Sequence, residues 1–196
     1  MEQKFAPFKR QMLRSLTETT GLPLKGVAPS DSRQARVMQL GAVLLDDDKE
    51  VACFYSRLFP DQWPTVHPAA TAAHGLTVEM CTKTGVGQKY AFGVLTELAL
   101  AADVVVAHNW AFDYQMLTIE YELLGELFAP KSHKCTMELM TPICGLTKSD
   151  GKPKWPKVAE AIKHVDPNYV LQAHDALQDV RATAKVWRWL VNNKKV

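Results

Sequence analysis

The sequence predicts an α/β fold, a mixed sheet with helices on both faces, and three observations carry that expectation. Strand-like runs come first, and strands then alternate with helix-like runs along the rest of the chain. The run Val104–Ala107 is apolar with no polar alternation, the pattern of a strand covered on both sides. A chain of 196 residues with 47% hydrophobic content can fill one core, so a single domain over 1–196 is expected.

From Arg36 to Phe54 apolar and other positions alternate, with Met38, Leu40, Ala42 and Leu44 on one side. Asp46-Asp47-Asp48-Lys49 then turns the chain into Val51–Tyr55, which predicts a β-hairpin with a solvated acidic turn. Pro60, Pro64 and Pro68 predict a surface loop over Phe59–Ala69. Phe92, Leu95, Leu98 and Ala99 recur at helical spacing within Ala91–Ala101, leading into the strand at Val104. Phe112, Met116, Ile119 and Leu123 define the next helix. A strand near Cys135–Leu139, a Lys-, Gly- and Pro-rich loop over Lys148–Pro156 and a short helix over Val158–Ile162 follow. Leu177, Val180, Ala184, Trp187 and Val191 then mark one face of a last helix, with a polar tail from Asn192.

Composition excludes little. A formal charge of +2 neither demands nor forbids a polyanionic partner, so any nucleic-acid surface must come from local clustering. The four cysteines show no CxxC pair and no metal-finger spacing, which favours reduced thiols. Met1–Ser15 has no unbroken apolar core and Leu98–Ala107 is too short to span a bilayer, so a soluble, cytoplasmic protein without membrane partners is expected.

The acids are more informative. Ala176, Asp179, Thr183, Val186 and Leu190 form a stripe beside the core face of the last helix, which sets Asp179 in a broad apolar arc. Asp113 lies with Leu117 and Leu124 on the inner side of its own helix, and Glu18 ends an N-terminal strand. An uncompensated buried carboxylate is costly, so each needs a cation, a donor network or water. Converging, the three would bind a hard divalent ion such as Mg²⁺ or Mn²⁺; singly, each reads as a helix cap or the partner of a buried arginine. His174, five positions before Asp179, belongs on the loop or first turn leading into the helix. There its imidazole either takes a proton from a water or caps and packs.

Three segments in order, Thr17-Glu18-Thr19-Thr20-Gly21-Leu22, His108-Asn109-Trp110-Ala111-Phe112-Asp113 and His174-Asp175-Ala176-Leu177-Gln178-Asp179, resemble the motifs of the DEDDh (DnaQ-like) 3'-5' exonucleases over nearly the whole chain. Ala73-His74-Gly75-Leu76-Thr77 resembles that family's His-Gly-Ile-Thr element. The resemblance implies a ribonuclease H-like fold, a mixed five-stranded sheet made of an antiparallel meander followed by alternating helices and strands. It implies metal ligation by Glu18, Asp113 and Asp179, with His174 and Glu18 as catalytic groups. Thr19, Thr20, Gly21, Leu22, His74, His108, Asn109, Trp110 and Phe112 would then line the substrate, a single-stranded DNA or RNA 3' end. Two Mg²⁺ or Mn²⁺ ions would serve release of nucleoside monophosphates, and a polymerase or a second copy of the chain would be a candidate partner. Trp110 and Tyr114 either stack on a base or pack internally. Lys148, Lys152, Lys154 and Lys157 either contact phosphates or form a solvated rim.

One departure stands out. Where the family's first motif reads Asp-x-Glu, this chain reads Leu16-Thr17-Glu18, and no other acid lies between Glu2 and Glu18. The chain is therefore expected to be either an exonuclease with one strong metal site or a catalytically degenerate nucleic-acid-binding or polymerase-associated module on the same fold.

Overall fold

A computed structural model describes residues 11–47, 49–61, 63–170 and 176–196, with backbone alone for 11–16 and 176. Its strands are β1 (Gln11–Thr19), β2 (Val37–Asp46), β3 (Lys49–Arg57), β4 (Val104–Ala107) and β5 (His133–Cys135), laid side by side in the order β3-β2-β1-β4-β5. β1, β2 and β3 form an antiparallel meander, whereas β4 and β5 run parallel to β1. The carboxyl ends of β1, β4 and β5 therefore share one edge, where α/β sheets commonly place ligands.

The pleat of β2 explains why helices cover both faces. Leu40, Ala42 and Leu44 join a core with Val105, Ala107 and the inner residues of α3 (Gln88–Ala101) and α4 (Trp110–Leu123). Val43, Leu45 and Val106 point the other way, into a second core with α5 (Thr136–Cys144), α6 (Val158–Val165) and α7 (Ala176–Asn192). The apolar run of β4 is thus divided between two cores, as its lack of alternation predicts. In α7, Val180, Ala184 and Trp187 are buried, but Val191 at the far end of the expected stripe is 37% exposed. All four cysteines are free. No helix among the described residues is long and apolar enough to cross a membrane.

Two expectations need correction. The loop expected over Phe59–Ala69 ends at His67, because Pro68 opens helix α1 (Pro68–His74), followed by α2 (Val78–Thr84). Proline lacks only an N–H that a first helical turn leaves unpaired, so it starts a helix as readily as it breaks one. The strand expected near Cys135–Leu139 is instead β5, which stops at Cys135; the good helix formers Met137, Glu138, Leu139 and Met140 continue as α5.

The long segment between β1 and β2 is fastened by one buried ion pair. Glu120 on α4 is 1% exposed; its Oε1 accepts from Arg36 Nε at 3.0 Å and from the Val37 N–H at 2.7 Å, and its Oε2 accepts from Arg36 Nη2 at 2.9 Å. Arg36 in turn holds Thr20 through its backbone: the Thr20 N–H donates to the Arg36 carbonyl, and the Arg36 N–H donates to Thr20 Oγ1, both at 2.9 Å. Removing one partner of such a pair strands a buried charge. Glu120→Ala should therefore destabilise the fold by about 3–5 kcal/mol in urea unfolding. Lys83→Ala, which breaks an exposed i,i+4 pair with Glu79, should cost under about 1 kcal/mol.

Candidate active site

The pairing of β1 with β4 ends at Arg14 opposite Val106, and the last residues of β1 run on past it. There the Thr17 N–H donates to Asp113 Oδ1 at 3.0 Å and the Thr17 hydroxyl donates to the same oxygen at 2.8 Å. Asp113 can reach them because α4 starts abruptly after β4. Asn109 at its N-cap has φ 79 and ψ 54, a left-handed conformation that asparagine tolerates better than most side chains. The first and second acidic segments are thereby locked together.

Glu18, next along β1, is half-buried. Burial, reinforced by the charge of Asp179 in the first turn of α7, pushes its carboxyl up to about 7. Burial likewise raises Asp113 to about 7; the two Thr17 hydrogen bonds hold it down, and the charge of Glu18 adds to the rise. Glu18 is thus electrostatically coupled to both of the other acids. The three are not closed around a common point, however: among the described residues no three His, Cys, Asp or Glu side chains form a group able to hold a metal ion. As a donor set, three carboxylates and no amine or thiol suit a hard divalent cation, and the raised pKa values of Glu18 and Asp113 come first from burial and then from a neighbouring carboxylate charge. His174 lies outside the described residues, as does the side chain of Leu16, whose backbone pairs with Gly41 of β2.

Beside Glu18 opens a cavity of about 550 Å³. Of the residues expected at a substrate, Thr19, Gly21, Leu22, His74 and Phe112 line it. Leu22 is 78% exposed, so its apolar side chain is open at the cavity. His74 Nδ1 accepts from the Leu76 N–H at 3.0 Å, so its Nε2 carries the proton and donates to the Thr19 carbonyl at 3.0 Å. Gly75, with φ 70, ends α1 and permits that turn.

Four other expected residues do not line this cavity. Thr20 is 2% exposed and spends its hydroxyl on the Arg36 N–H. His108 is buried, with Nδ1 bonded to Thr136 Oγ1 at 2.9 Å and Nε2 to the Pro156 carbonyl at 2.8 Å, so it ties loops together and faces no ligand. Trp110 is 8% exposed, its ring stacked on Tyr114 and on His133 at 5.3 and 4.6 Å, which favours internal packing over base stacking. Asn109 serves through its backbone at the start of α4.

Sequence reasoning missed His67, Ala69 and Ala70, which line the cavity together with Ala73 of the quoted His74 segment. The signal was present: His67 precedes a proline at the first helical position, and the alanines and His74 follow at i, i+1, i+4 and i+5. His67 Nδ1 accepts from the Ala69 N–H at 3.2 Å.

The raised acids give a pH dependence of defined sign. Glu18 and Asp113 ionise near 4.5 and 3.8 when unperturbed but near 7 in the fold, so between those values the folded chain binds more protons than the unfolded one. Their stabilising contribution is present below about 4 and is lost as pH rises through about 7. With chelator present, the melting temperature should fall from pH 5.5 to 8. Glu18→Gln should flatten that fall, and Mg²⁺ should restore stability at the upper end; a Glu18→Gln curve parallel to the wild type would refute the assignment.

The sequence model of a family described as Exonuclease matches residues 17–187. Among solved structures, E. coli Exonuclease I in complex with a dA16 oligonucleotide matches with a TM-score of 0.74 at 17% identity, over 94% of this chain and 41% of that one. A moderately thermophilic Exonuclease I from Methylocaldum szegediense matches with a TM-score of 0.71 at 19% identity, over the same shares of each chain. The zinc-bound form of the E. coli Exonuclease I complex with single-stranded DNA matches with a TM-score of 0.74 at 15% identity, over 95% of this chain and 41% of that one. The chain thus spans about two fifths of the length of these structures, which share its α/β fold. No curated protein sequence matches it.

Proposed function

The chain belongs to this exonuclease family, and from that premise we propose that it removes nucleoside monophosphates from the 3' end of single-stranded DNA or RNA. The observation that carries the reading is the position of Glu18. It is coupled to Asp113 and Asp179 and also lines a cavity walled by Leu22, Phe112 and His74. An acid cluster beside an apolar, concave surface is what hydrolysis at a strand terminus needs: charge where the phosphodiester lies, and a place for the last sugar and base.

Glu18, Asp113 and Asp179 would hold Mg²⁺ or Mn²⁺. When bound, such ions activate water and stabilise the oxygen that leaves. The remaining work falls to the chain. Thr17 orients Asp113 by occupying one of its oxygens, and Leu22 and Phe112 exclude water from the terminal nucleotide. His74 fixes the backbone of Thr19 along the cavity. His174 serves as the general base. The crystallisation of Exonuclease I with single-stranded oligonucleotides and with zinc supports this substrate and this dependence on metal.

A second reading, a nucleic-acid binder without turnover, is favoured by Leu16, which offers no donor where the family pattern has an acid, and by the lack of a closed metal group among the described residues. Three carboxylates balance only three of the four charges of two divalent ions, so the second ion should bind weakly in the free protein. Mononucleotide release from a labelled single strand, titrated with Mg²⁺ and Mn²⁺, separates the readings: the enzyme gives slow release that climbs at high metal, and the binder gives none. Leu16→Asp should shift the Mg²⁺ titration to lower concentration and raise the rate. A folded variant that changes neither would show that position 16 is not a missing ligand.

His174→Ala should lose most turnover while strand affinity stays within a few-fold of wild type. Equal loss of both would mark His174 as a packing residue.

A further inference from the structure

Trp155 is 65% exposed, and no ring among the described residues packs against it. It stands in a shaped loop. Thr147 bridges Pro153, the Lys148 N–H donates to the Lys152 carbonyl and the Lys154 N–H to the Leu146 carbonyl, both at 2.8 Å, and Gly151 turns the tip at φ 79. Such a loop presents its side chains in a fixed arrangement. Lys154 is paired with Glu160 and Lys152 with Asp150, whereas Lys148 and Lys157, both exposed, make no close ion pair among the described residues, although the charge of Lys157 also acts on Glu160.

The next residue, Pro156, fixes where this loop sits. Its carbonyl accepts from His108 Nε2, and His108 directly follows β4, five residues before Asp113. The indole is therefore carried at the carboxyl edge of the parallel strands, the edge at which Glu18 lies just before Thr19 ends β1 and Asp113 sits in the first turn of α4. An exposed indole between exposed lysines matches the chemistry of single-stranded nucleic acid, which offers a stackable face on every base and a charge at every phosphate.

We propose that Trp155, with Lys148 and Lys157, is a docking surface for the single strand upstream of the terminus held at Glu18: the indole stacks on a base and the lysines meet phosphates. The proposal rests on the exonuclease reading and adds to it a second point of attachment outside the cavity. It also assigns the buried His108 a role, since the imidazole holds this surface in register with the acids.

The test is anisotropy of a labelled twelve-nucleotide oligothymidylate, measured with chelator so that the strand stays intact. Trp155→Ala should weaken binding about ten-fold or more, and Trp155→Phe, which keeps a stacking face, should stay within about three-fold of wild type. Lys148→Ala and Lys157→Ala should each lower the slope of log affinity against log salt by about 0.7. Trp155→Ala within two-fold of wild type, or unchanged salt slopes, would overturn this surface and leave the cavity reading intact. Wild-type protein that binds neither this oligothymidylate nor an oligouridylate of the same length would overturn both.

Discussion

Asp113 is 2% exposed, yet it is the link through which the two halves of the sheet's carboxyl edge are joined. Its Oδ1 takes both the N–H and the hydroxyl of Thr17, at the point where β1 outruns its ladder with β4. Thr17, Glu18 and Thr19 keep β2 as their neighbour on one side, and only the side toward β4 is left without a ladder partner. Here a side chain from the following helix completes it, so the start of α4 and the end of β1 behave as one unit. The position of Glu18, the coupling of the acids and the wall that Phe112 gives the cavity all depend on that junction. The same bonds lower the cost of a buried acid without removing it, which is why Asp113 still ionises near neutrality.

A second fastening lies farther along the same helix. Glu120 binds Arg36, and Arg36 binds Thr20 through its backbone, so α4 grips the first motif from both sides: Thr17 before Glu18 and Thr20 after it. Two buried carboxylates, seven residues apart on one helix, thus determine the path of the segment that carries Glu18. Removing Arg36 or Glu120 alone would leave the other as a buried charge without its partner, so the pair costs more to break than it contributes to net stability.

What the sequence revealed follows from which forces are periodic. β4 was legible because burial on both faces leaves no polar positions, and α4 and α7 because their apolar residues recur every three or four positions. Asp113 and Asp179 stood out as acids on apolar faces. α1 escaped notice because its alanines give no amphipathic contrast and its first residue is a proline; with it went the cavity residues His67, Ala69 and Ala70. The end of β5 was misplaced because a three-residue strand has too short a period to read. His108 and Trp110 carried the right motif letters, but motif letters do not say whether a ring faces a ligand or a neighbour. That is decided by partners distant in sequence, Pro156 for one and His133 for the other.

The His74 contacts carry a consequence for which residues this position tolerates. One ring nitrogen must accept and the other must donate, since the first faces an N–H and the second a carbonyl. Those two bonds call for a neutral group with opposite hydrogen-bond polarity at its two ends. A glutamine amide, with an oxygen and an NH₂ side by side, meets the same requirement; a lysine or arginine, which only donates, would face the Leu76 N–H with nothing to offer. At this wall of the cavity, the permitted replacements are set by the direction in which hydrogen bonds run, so a neutral amide is a closer substitute for this histidine than any cation.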